Sequence, residues 1–379
     1  MDPRAINEPG AQGASPPPAS AHVRNPSAGL SGHLASRLEP LLDSLRRVIR
    51  GKDDLISSAV TCLIAGGHLL LEDVPGTGKT TLARALAAAS GLGLRRVQMT
   101  SDLLPQDLTG ASYPVMGAGD DLGSTPEAAF RFAPGPIFSD LLLADELNRT
   151  PPRTQSALLE AMAERAVTVE GVRHRLPWPF FVIATQNPTE FAGTFPLPES
   201  QLDRFMMRLT PGYPDRAAEG ALLRDRRGAD PLDATEDTLG MNGAESVRSA
   251  IRDAMRAVDE VAVAEPILEY TLDIVAATRG MDNGTDAAAP AVAAPAFFLG
   301  ASPRAALDLD RAARARALLD GRDFVVPEDV HELVIPVLAH RLIPAESGFD
   351  GQSSSAALLR QVLAAVAPPR LNASGDMER

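Results

Sequence analysis

Short apolar runs alternate with stretches of helical periodicity through the first half of the chain. Runs bounded by turn residues predict buried strands, and a period of about 3.6 residues predicts helices. Residues 79–90 have that helical period between two of the runs, and Gly91 ends the stretch. Strands that alternate with helices predict a parallel sheet covered by helices on both faces. The runs that we expect to form strands are residues 68–72, 95–99, 140–145, 179–185 and 205–210.

The pattern changes at residues 211–215, and the second half of the chain is mostly helical in period. This change predicts a smaller, all-α domain over residues 213–345 that follows an α/β domain over residues 34–212. Two segments interrupt the helical pattern. Residues 226–245 are polar and predict a loop, and residues 281–297 are rich in Ala and Pro and predict a flexible insertion.

The two ends of the chain differ from the parts between them. Residues 1–33 contain 20 Ala, Gly, Pro or Ser residues. We expect this segment to be disordered, because it buries too little apolar area to offset its ordering entropy. A first helix is expected to begin near Pro40, where apolar residues start to recur at helical spacing. Residues 346–379 predict a C-terminal helix and a polar tail.

Composition and charge narrow the possible functions. A formal net charge of −13 over 379 residues predicts that the molecule repels nucleic acid and anionic lipid. No apolar run reaches the roughly 18 residues of a membrane span, and the N-terminus lacks the apolar segment of a signal peptide. We therefore expect a cytoplasmic protein without stable membrane insertion. The single cysteine, Cys62, lies among apolar residues and is expected to be a buried, unreactive thiol.

A phosphate-binding loop is predicted where the first strand meets its helix. The sequence LLLEDVPGTGKTTLARAL ends a strand at Glu72 and begins a helix at Lys79, and the glycines between them let backbone amides converge on phosphate. Lys79 would reach the β- and γ-phosphates of a nucleotide, and Thr80 would hold Mg²⁺. The predicted nucleotide-binding residues of this loop are Pro75, Gly76, Thr77, Gly78, Lys79, Thr80 and Thr81.

One position departs from the usual pattern G-x-x-x-x-G-K-[ST], because Asp73 stands where the first glycine is expected. The positions that contact phosphate all follow Asp73, so we expect the site to tolerate it. The alternative interpretation is a Gly-rich turn without a ligand. A strand, a loop, Lys-Thr and a helix in succession favour the nucleotide site.

Polar residues near the ends of two further strands extend the predicted site. Asp145 and Glu146 follow an apolar run, where Asp145 could orient Mg²⁺ and Glu146 could polarise an attacking water. Asn187 follows the next strand and could position that water, although an ordinary Asn-Pro turn is the alternative. Arg204 and Arg304, taken alone, could each be a surface charge.

The order of these parts resembles the AAA+ ATPases, and within them the MoxR family. The resemblance implies a P-loop AAA+ core with a central parallel sheet flanked by helices, followed by an all-α lid domain. It also implies an insertion near residues 110–138 and a hairpin near residues 164–178. The matching stretches cover most of residues 40–342: LLLEDVPGTGKTTLARALA, TSDLLPQDLTG, FRFAPGPIFSDLLLADELNRTPPRTQSALLEAMAERAVTVEG, FVIATQNPTEFAGTFPLPESQLDRFMMRL and GASPRAALDLDRAARARALLDGRDFVVPEDV.

The resemblance assigns a role to each predicted site residue. Lys79 and Thr80 match the Walker A pair, Asp145 and Glu146 match the Walker B pair, and Asn187 matches sensor 1. These roles imply ATP and Mg²⁺ as cofactors.

The resemblance alone assigns roles to four further positions. Arg204 matches the arginine finger, which acts on ATP in the neighbouring subunit, and Arg304 matches sensor 2 in the lid. Ile49 and Gly51 lie in the segment that usually lines the adenine pocket. Lys52 stands where the family usually has Gln.

The resemblance also implies a function. It points to a ring-forming, Mg²⁺-dependent ATPase, a hexamer in the family, that remodels or matures partner proteins. Proteins with von Willebrand factor A domains are the expected partners, and metal insertion is one expected outcome. A nucleic-acid-translocating motor is the alternative, since the predicted hairpin carries Arg165, Arg173, His174 and Arg175, but the acidic net charge disfavours it. A chelatase-type motor subunit is a further alternative.

Overall fold

The computed structural model arranges the chain as helices and strands in the predicted order. It describes residues 28–74, 76–115, 129–188, 193–214, 216–217, 219–220, 231–280, 297–345, 354–371 and 377–378. The helices are α1 (Ala28–Val48), α2 (Asp53–Ile64), α3 (Lys79–Ser90), α4 (Pro105–Thr109), α5 (Pro152–Glu164), α6 (Glu199–Leu202), α7 (Pro231–Ala257), α8 (Glu265–Thr278), α9 (Pro303–Leu319), α10 (Pro327–Leu338) and α11 (Ser355–Ala365). The strands are β1 (Leu69–Glu72), β2 (Leu94–Gln98), β3 (Gly110–Val115), β4 (Ala129–Pro134), β5 (Leu141–Asp145), β6 (Ala166–Val169), β7 (Val172–Arg175), β8 (Phe181–Gln186), β9 (Met207–Leu209), β10 (Phe297–Leu299), β11 (Ile343–Pro344), β12 (Arg370–Leu371) and β13 (Met377–Glu378).

Five strands form one sheet in the order β2-β5-β8-β1-β9, and all neighbours pair in parallel. Leu70 of β1 lies opposite Ala184 of β8, and Gln98 of β2 lies opposite Asp145 of β5. Each strand predicted for the first half of the chain is present. The predicted α/β fold with a central parallel sheet is therefore confirmed.

Alternate residues of the sheet face two hydrophobic clusters, which explains why the strands are apolar throughout. Leu69 and Leu71 belong to a cluster that also contains α1, α2 and α3 residues, here called the α1-side cluster. Leu70 faces the opposite way, into a cluster built with α4 and α5, here called the α5-side cluster. The helices therefore cover both faces of the sheet.

Helix α1 begins at Ala28, so two predictions about this region were wrong. Residues 28–33 are helical rather than disordered, and Pro40 lies inside the helix rather than near its start. The apolar stripe continues upstream of Pro40, because Leu34 and Leu38 are fully buried on the same face as Leu41. Burial of that stripe outweighs the hydrogen bond that Pro40 cannot donate. Residues 1–27 lie outside the described part of the chain.

Helix α7 begins at Pro231, so the prediction of a loop through residue 245 was wrong over residues 231–245. Gly240 and Gly243 obscured the helical period in the sequence. The helix packs against α1 and α3 of the first half. Its buried Ile251 joins the α1-side cluster, and Arg37 of α1 forms an ion pair with Asp253 at 2.8 Å.

The second half is helical, as predicted, with one small addition. Helices α9 and α10 pack together, α9 also contacts α1 and α2, and α11 packs against α8 and α10. Strands β10 and β11 form a short antiparallel pair within this half. The predicted insertion at 281–297 lies outside the described residues except at Phe297, where β10 begins.

Two antiparallel hairpins project from the core. Strands β3 and β4 pair within the predicted insertion at 110–138, of which residues 116–128 lie outside the described part. Strands β6 and β7 pair within the predicted hairpin at 164–178. The rings of Phe132 and His174 stack with centroids 4.0 Å apart, so the two hairpins contact each other.

Two further expectations from the sequence can be examined directly. The Cys62 thiol is fully buried, and burial raises its pKa, as expected for an unreactive core cysteine. Among the described residues, no helix combines the length and the apolar character needed to cross a bilayer.

Candidate ATP site

The residues predicted to hold nucleotide meet at one edge of the sheet. In a parallel sheet the carboxyl ends of all strands lie at the same edge. The phosphate loop follows β1, Asp145 ends β5, and Asn187 follows β8, and β1, β8 and β5 are neighbours. This edge, with the loop and the ends of β1, β5 and β8, is called the carboxyl edge below.

The phosphate loop has the conformation that its glycines allow. Gly76 and Gly78 have φ values of 87° and 93°, in the left-handed region that favours glycine. Thr77 Oγ1 donates to the Val74 carbonyl at 3.1 Å, and α3 begins at Lys79 with Gly78 as its N-cap. Thr80 and Thr81 therefore lie in the first turn of α3, where the amides carry partial positive charge. Pro75 lies outside the described residues.

Lys79 is held by the main chain of two neighbouring strands. Its Nζ donates to the Asp73 carbonyl, which continues from β1, and to the Gln186 carbonyl of β8 at 3.0 Å. Burial lowers the pKa of Lys79, and the negative charges of Asp73 and Asp145 oppose that shift. A phosphate oxygen could replace these carbonyls as the partner of the ammonium group.

Asp145 gathers three donors around its carboxylate. Thr185 Oγ1 donates to Oδ1 at 2.7 Å, and Thr80 Oγ1 lies 3.4 Å from Oδ2. Arg96 of β2 reaches the same Oδ2 at 2.7 Å. A hydroxyl and a carboxylate that converge on one point fit the hard oxygen ligands that Mg²⁺ prefers, so Thr80 and Asp145 could hold it.

Glu146 has an unusual backbone that fixes where its side chain points. Its φ of 59° lies in the left-handed region, and its amide donates to Thr185 Oγ1 at 2.8 Å. Its Oε2 accepts from Gln98 Nε2 at 2.7 Å and lies 3.2 Å from Arg149 Nε. The carboxylate is therefore oriented by its own chain beside the predicted metal ligand.

Asn187 and the adenine-side residues lie around this centre. Asn187 is buried directly after β8, and its carbonyl accepts from Asn148 Nδ2 at 3.3 Å. Ile49 packs against the α1-side cluster, and Gly51 makes the turn between α1 and α2 with a φ of 69°. Lys52 at that turn reaches the carbonyl of Thr77 in the phosphate loop at 3.4 Å. The segment predicted to contact adenine is thus adjacent to the phosphate loop.

The two predicted arginines lie elsewhere, together at the opposite edge of the sheet. Arg204 and Arg304 line one cavity of about 390 Å³, with residues 65–68 on its wall. Residues 65–68 directly precede β1, so the cavity lies at the amino end of that strand, while the phosphate loop follows its carboxyl end. A four-residue strand spans about 13 Å at roughly 3.3 Å per residue. The structure therefore does not bring Arg204 or Arg304 to Lys79 within one chain.

This cavity is strongly basic and is called the arginine pocket. Arg165 and Arg311 line it beside Arg204 and Arg304. Asp308, also in its lining, forms an ion pair with Arg341 at 2.6 Å, and Arg311 forms one with Asp259. Arg204 Nη1 donates to the Leu159 carbonyl at 2.8 Å and Arg165 Nη2 to the Gly66 carbonyl at 3.1 Å. Burial lowers the pKa of Arg165, and the charge of Arg311 adds to the effect. The arrangement favours an anion.

Comparisons with known proteins decide the family. The family model described as "ATPase family associated with various cellular activities (AAA)" matches residues 68–207, and the one described as "AAA lid domain" matches residues 289–362. The chain is 36% identical to Chaperone MoxR1 of Mycobacterium tuberculosis over 96% of this chain and 90% of that protein. The chain belongs to the MoxR family of AAA+ ATPases.

Two further matches agree with this family. The chain is 40% identical to the uncharacterized protein YeaC of Bacillus subtilis, over 88% of this chain and 96% of YeaC. It is similar to the crystal structure of a candidate ATPase from Cytophaga hutchinsonii, with a TM-score of 0.74, 32% identity and coverage of 92% of this chain and 97% of that one. The predictions of a MoxR-family AAA+ protein and of an ATPase are therefore confirmed.

Within this MoxR-family ATPase, the structure adds residues that the sequence analysis missed. Arg96 and Gln98 of β2 contact Asp145 and Glu146, and Thr185 of β8 contacts both acids. The spacing of Arg96 and Gln98 could have indicated that they act together, since residues two apart on a strand share a face. Only the pairing of β2 with β5 shows that this face meets the two acids.

The match to the lid model covers part of the segment that follows the predicted lid domain. The match to the lid model ends at residue 362 and so includes most of α11, which the sequence analysis assigned to a separate C-terminal segment. The buried Leu359 and Val362 of α11 belong to the α1-side cluster.

Proposed function

We propose that this ATPase assembles into a ring, hydrolyses Mg²⁺-bound ATP at the interfaces between its subunits, and uses the cycle to remodel partner proteins. The observation that carries the proposal is the separation of two half-sites. The phosphate loop and the acids lie at the carboxyl edge, and the arginine pocket lies at the opposite edge. A complete site then requires the carboxyl edge of one subunit and the arginine pocket of the next.

In the proposed site, each residue of the carboxyl edge has one task. The amides of the phosphate loop and Lys79 bind the phosphates, and Thr80 with Asp145 holds the metal. When bound, Mg²⁺ neutralises charge on the phosphate oxygens. Glu146 accepts a proton from the attacking water, and Asn187 orients that water.

The arginine pocket of the neighbouring subunit supplies the remaining charge. Arg204 and Arg304 would contact the γ-phosphate and stabilise the charge that its transfer develops. Because both line one cavity, we propose that both act on the ATP of the next subunit rather than on that of their own. Ile49 and Gly51 remain the proposed contacts of the adenine ring.

Such a contact joins two different surfaces, and a heterologous contact repeated around an axis closes into a ring. We propose a hexamer, which the resemblance to the family suggests.

Protein clients are the proposed target of the cycle. The name of the relative MoxR1, a chaperone, supports a protein client, and proteins with von Willebrand factor A domains are our proposed partners, with metal insertion as one outcome. We place this activity in the cytoplasm.

The hairpin offers little support for a nucleic-acid motor. Arg173 pairs with Glu164 at 3.1 Å, Arg165 contributes to the arginine pocket, and the ring of His174 stacks on Phe132. Arg165 and Arg173, two of the arginines that suggested the alternative, thus have partners within the subunit.

Concentration dependence of the ATPase tests the assembly. We expect turnover per subunit to rise steeply with protein concentration and to saturate where mass photometry detects rings. Constant turnover in dilute samples that contain only monomers would overturn the interface mechanism. Salt-sensitive stimulation by DNA would instead favour the nucleic-acid motor.

Client capture tests the second part of the proposal. Glu146→Gln protein loaded with ATP should retain a von Willebrand factor A domain protein from the same organism more strongly than Lys79→Ala protein, which cannot load. Equal retention by the two variants would argue against that partner.

A further inference from the structure

The chain that leaves β9 passes directly beside the phosphate loop. Gly212 lies just beyond the end of β9 and has a φ of 67°. Its amide donates to Asp73 Oδ2 at 2.6 Å, and its carbonyl accepts from Lys52 Nζ at 2.7 Å. Both backbone groups of Gly212 are therefore held by side chains from the nucleotide site.

The same two side chains also hold the phosphate loop. Asp73 Oδ1 accepts from the Val74 amide at 2.7 Å, and Lys52 Nζ lies 3.4 Å from the Thr77 carbonyl. Asp73 is only 9% exposed, so its carboxylate depends on these donors rather than on water. Lys52, Asp73 and Gly212 form what we call the linker latch, because they join the phosphate loop to the chain that continues into the second half.

Lys79 connects the linker latch to the nucleotide. Its ammonium donates to the Asp73 carbonyl, and the Asp73 carboxylate opposes the lowering of the pKa that burial causes at both Lys52 and Lys79. When phosphate oxygens take over the Lys79 ammonium, the Asp73 main chain loses that donor. A change in the partners of Lys79 therefore alters the hydrogen bonding of Asp73, whose carboxylate accepts from the Gly212 amide.

We propose that Lys52 and Asp73 are positioning residues that couple occupancy of the phosphate loop to the chain entering the second half, which carries Arg304. The proposal rests on the proposed function, because it requires ATP at the phosphate loop. The proposal gives one role to two residues that depart from the usual sequence patterns, Asp73 in the phosphate loop and Lys52 in the segment predicted to contact adenine. A glycine at position 73 could not accept the Gly212 amide through a side chain, and an uncharged side chain at position 52 could not neutralise Asp73.

Amide hydrogen exchange in the full-length protein tests the coupling. In the wild type, AMP-PNP with Mg²⁺ should change exchange at residues 209–214 and at residues 298–306. In Asp73→Asn and in Lys52→Met, exchange at Gly212 without nucleotide should be about tenfold faster. Asp73→Asn replaces the charged acceptor of the Gly212 amide with a weaker neutral one, and Lys52→Met removes the charged donor to the Gly212 carbonyl, which frees the segment to open. The response of residues 298–306 to nucleotide should disappear in both variants.

Kinetics separate a positioning role from a binding role. Because the proposed function gives Arg304 a role in catalysis, kcat should fall about tenfold in both variants, while the Kd for AMP-PNP moves by less than about threefold. Lys52→Arg keeps a donor for the Gly212 carbonyl and should restore most of the kcat lost in Lys52→Met.

A neighbouring carboxylate provides the matched control. Glu72 is adjacent to Asp73 but pairs with Arg208 of β9 at 2.9 Å, so Glu72→Gln should leave the response of residues 298–306 intact. The linker latch is overturned if the Asp73→Asn protein keeps a wild-type exchange response, or if Glu72→Gln abolishes the response equally. A wild-type protein that binds no ATP would instead refute the proposed function.

Discussion

The two edges of the central sheet differ in how their charges are balanced. At the carboxyl edge, Asp145 pairs with Arg96, and Glu146 contacts Arg149 and Gln98, so the acids have partners within their own chain. Substrate and metal could bind there by replacing the present partners of Asp145 and Glu146, whose carboxylates are already oriented. The carboxyl edge is therefore a site that a single subunit can prepare.

The amino edge is balanced differently. Four arginines and one aspartate line the arginine pocket, and that aspartate, Asp308, is paired with Arg341. Arg165 and Arg304 are exposed and Arg311 forms an ion pair with Asp259, so the pocket is a basic surface cavity that could accept an anion. The molecule therefore carries an acidic half-site whose carboxylates have partners in their own chain and a basic half-site in which arginines outnumber carboxylates among the described lining residues.

The largest expected effect is that of removing the proposed finger at the amino edge. Arg204→Ala should lower kcat by about a thousandfold or more, the size known for arginine fingers, because transition-state charge would lose its partner. Binding of a fluorescent ATP analogue should stay near the wild-type value, since Arg204 does not contact the phosphate loop of its own chain. Steady-state ATPase assays and equilibrium titration measure the two quantities.

Mixtures of variants show which subunit each arginine serves. Arg204→Ala mixed with Lys79→Ala should regain activity, because an intact finger can then meet an intact phosphate loop. Arg204→Ala mixed with Arg304→Ala should regain none if both arginines reach the neighbour from the same subunit. Recovery in that second mixture would show that Arg304 acts on the ATP of its own subunit. That result would contradict the proposal that the whole arginine pocket serves the neighbouring subunit.

At the carboxyl edge, Glu146→Gln should lower kcat by about a hundredfold to ten-thousandfold, the range for loss of a general base. ATP binding should persist, since Lys79 and the phosphate loop are unchanged. Glu39→Gln is a suitable control, because Glu39 is also an exposed carboxylate paired with an arginine, Arg46, but lies in α1, outside the arginine pocket and the carboxyl edge. Unchanged turnover in Glu146→Gln would remove this residue from the mechanism.

A smaller effect, on the Mg²⁺ dependence of ATP binding, is expected from removing the ion pair between Arg96 and Asp145 at the carboxyl edge. In the proposed site Arg96 and Mg²⁺ would compete for Asp145, so Arg96→Gln should lower the Mg²⁺ concentration needed for ATP binding by up to about fivefold, as for a partly exposed ion pair. Magnesium titrations with a fluorescent ATP analogue measure this. Arg95→Gln, on the neighbouring residue of β2, should leave the titration unchanged. An equal shift in both variants would point to general electrostatics instead.

The smallest effect concerns stability at the amino edge. His68 beneath the arginine pocket accepts the Val182 amide at Nδ1 and lies with Nε2 3.3 Å from the Met162 carbonyl, which fits a neutral ring. Burial lowers its pKa from 6.5 to about 4, and the nearby charges of Arg165 and Arg304 add to the effect. Between pH 6.5 and 4 the unfolded chain binds a proton that the folded chain does not, so stability falls as the pH falls through this window.

The expected loss is about 3 kcal/mol for this group across the window. His68→Gln, which can keep both hydrogen bonds, should show a shallower decline in the free energy of unfolding, measured by urea denaturation at several pH values. A decline as steep as that of the wild type would assign the pH dependence to other groups, such as the buried His340, whose pKa burial also lowers.

The sequence predicted the carboxyl edge better than the amino edge, for a physical reason. Lys79 and Asp145 stand in local patterns, a glycine loop before a helix and acids after an apolar run, and parallel pairing brings such ends together. Arg204 and Arg304 converge only through the packing of α9 beside the core, which no local pattern specifies.

The same limit explains the missed contacts and the misplaced helices. Arg96 belongs to a run that predicted a strand correctly, but its partner depends on the register of β2 against β5. The start of α1 was misplaced because Pro40 is a poor helix former whose effect tertiary burial overrides, and the start of α7 was misplaced because Gly240 obscures the helical period of the sequence. Local propensity therefore predicted the elements, and packing decided their limits and their partners.

The continuity of the α1-side cluster limits how the chain can be divided. Ile251 of α7 and Leu309 of α9 are fully buried in the same cluster as Leu82 of α3 and Leu45 of α1. A fragment cut at residue 214 would expose the face of α1 and α3 that α7 covers, a large apolar patch of the kind that drives aggregation. The two halves are consequently not interchangeable modules, and a chimaera that exchanged lids between family members would have to carry α1 along with the lid.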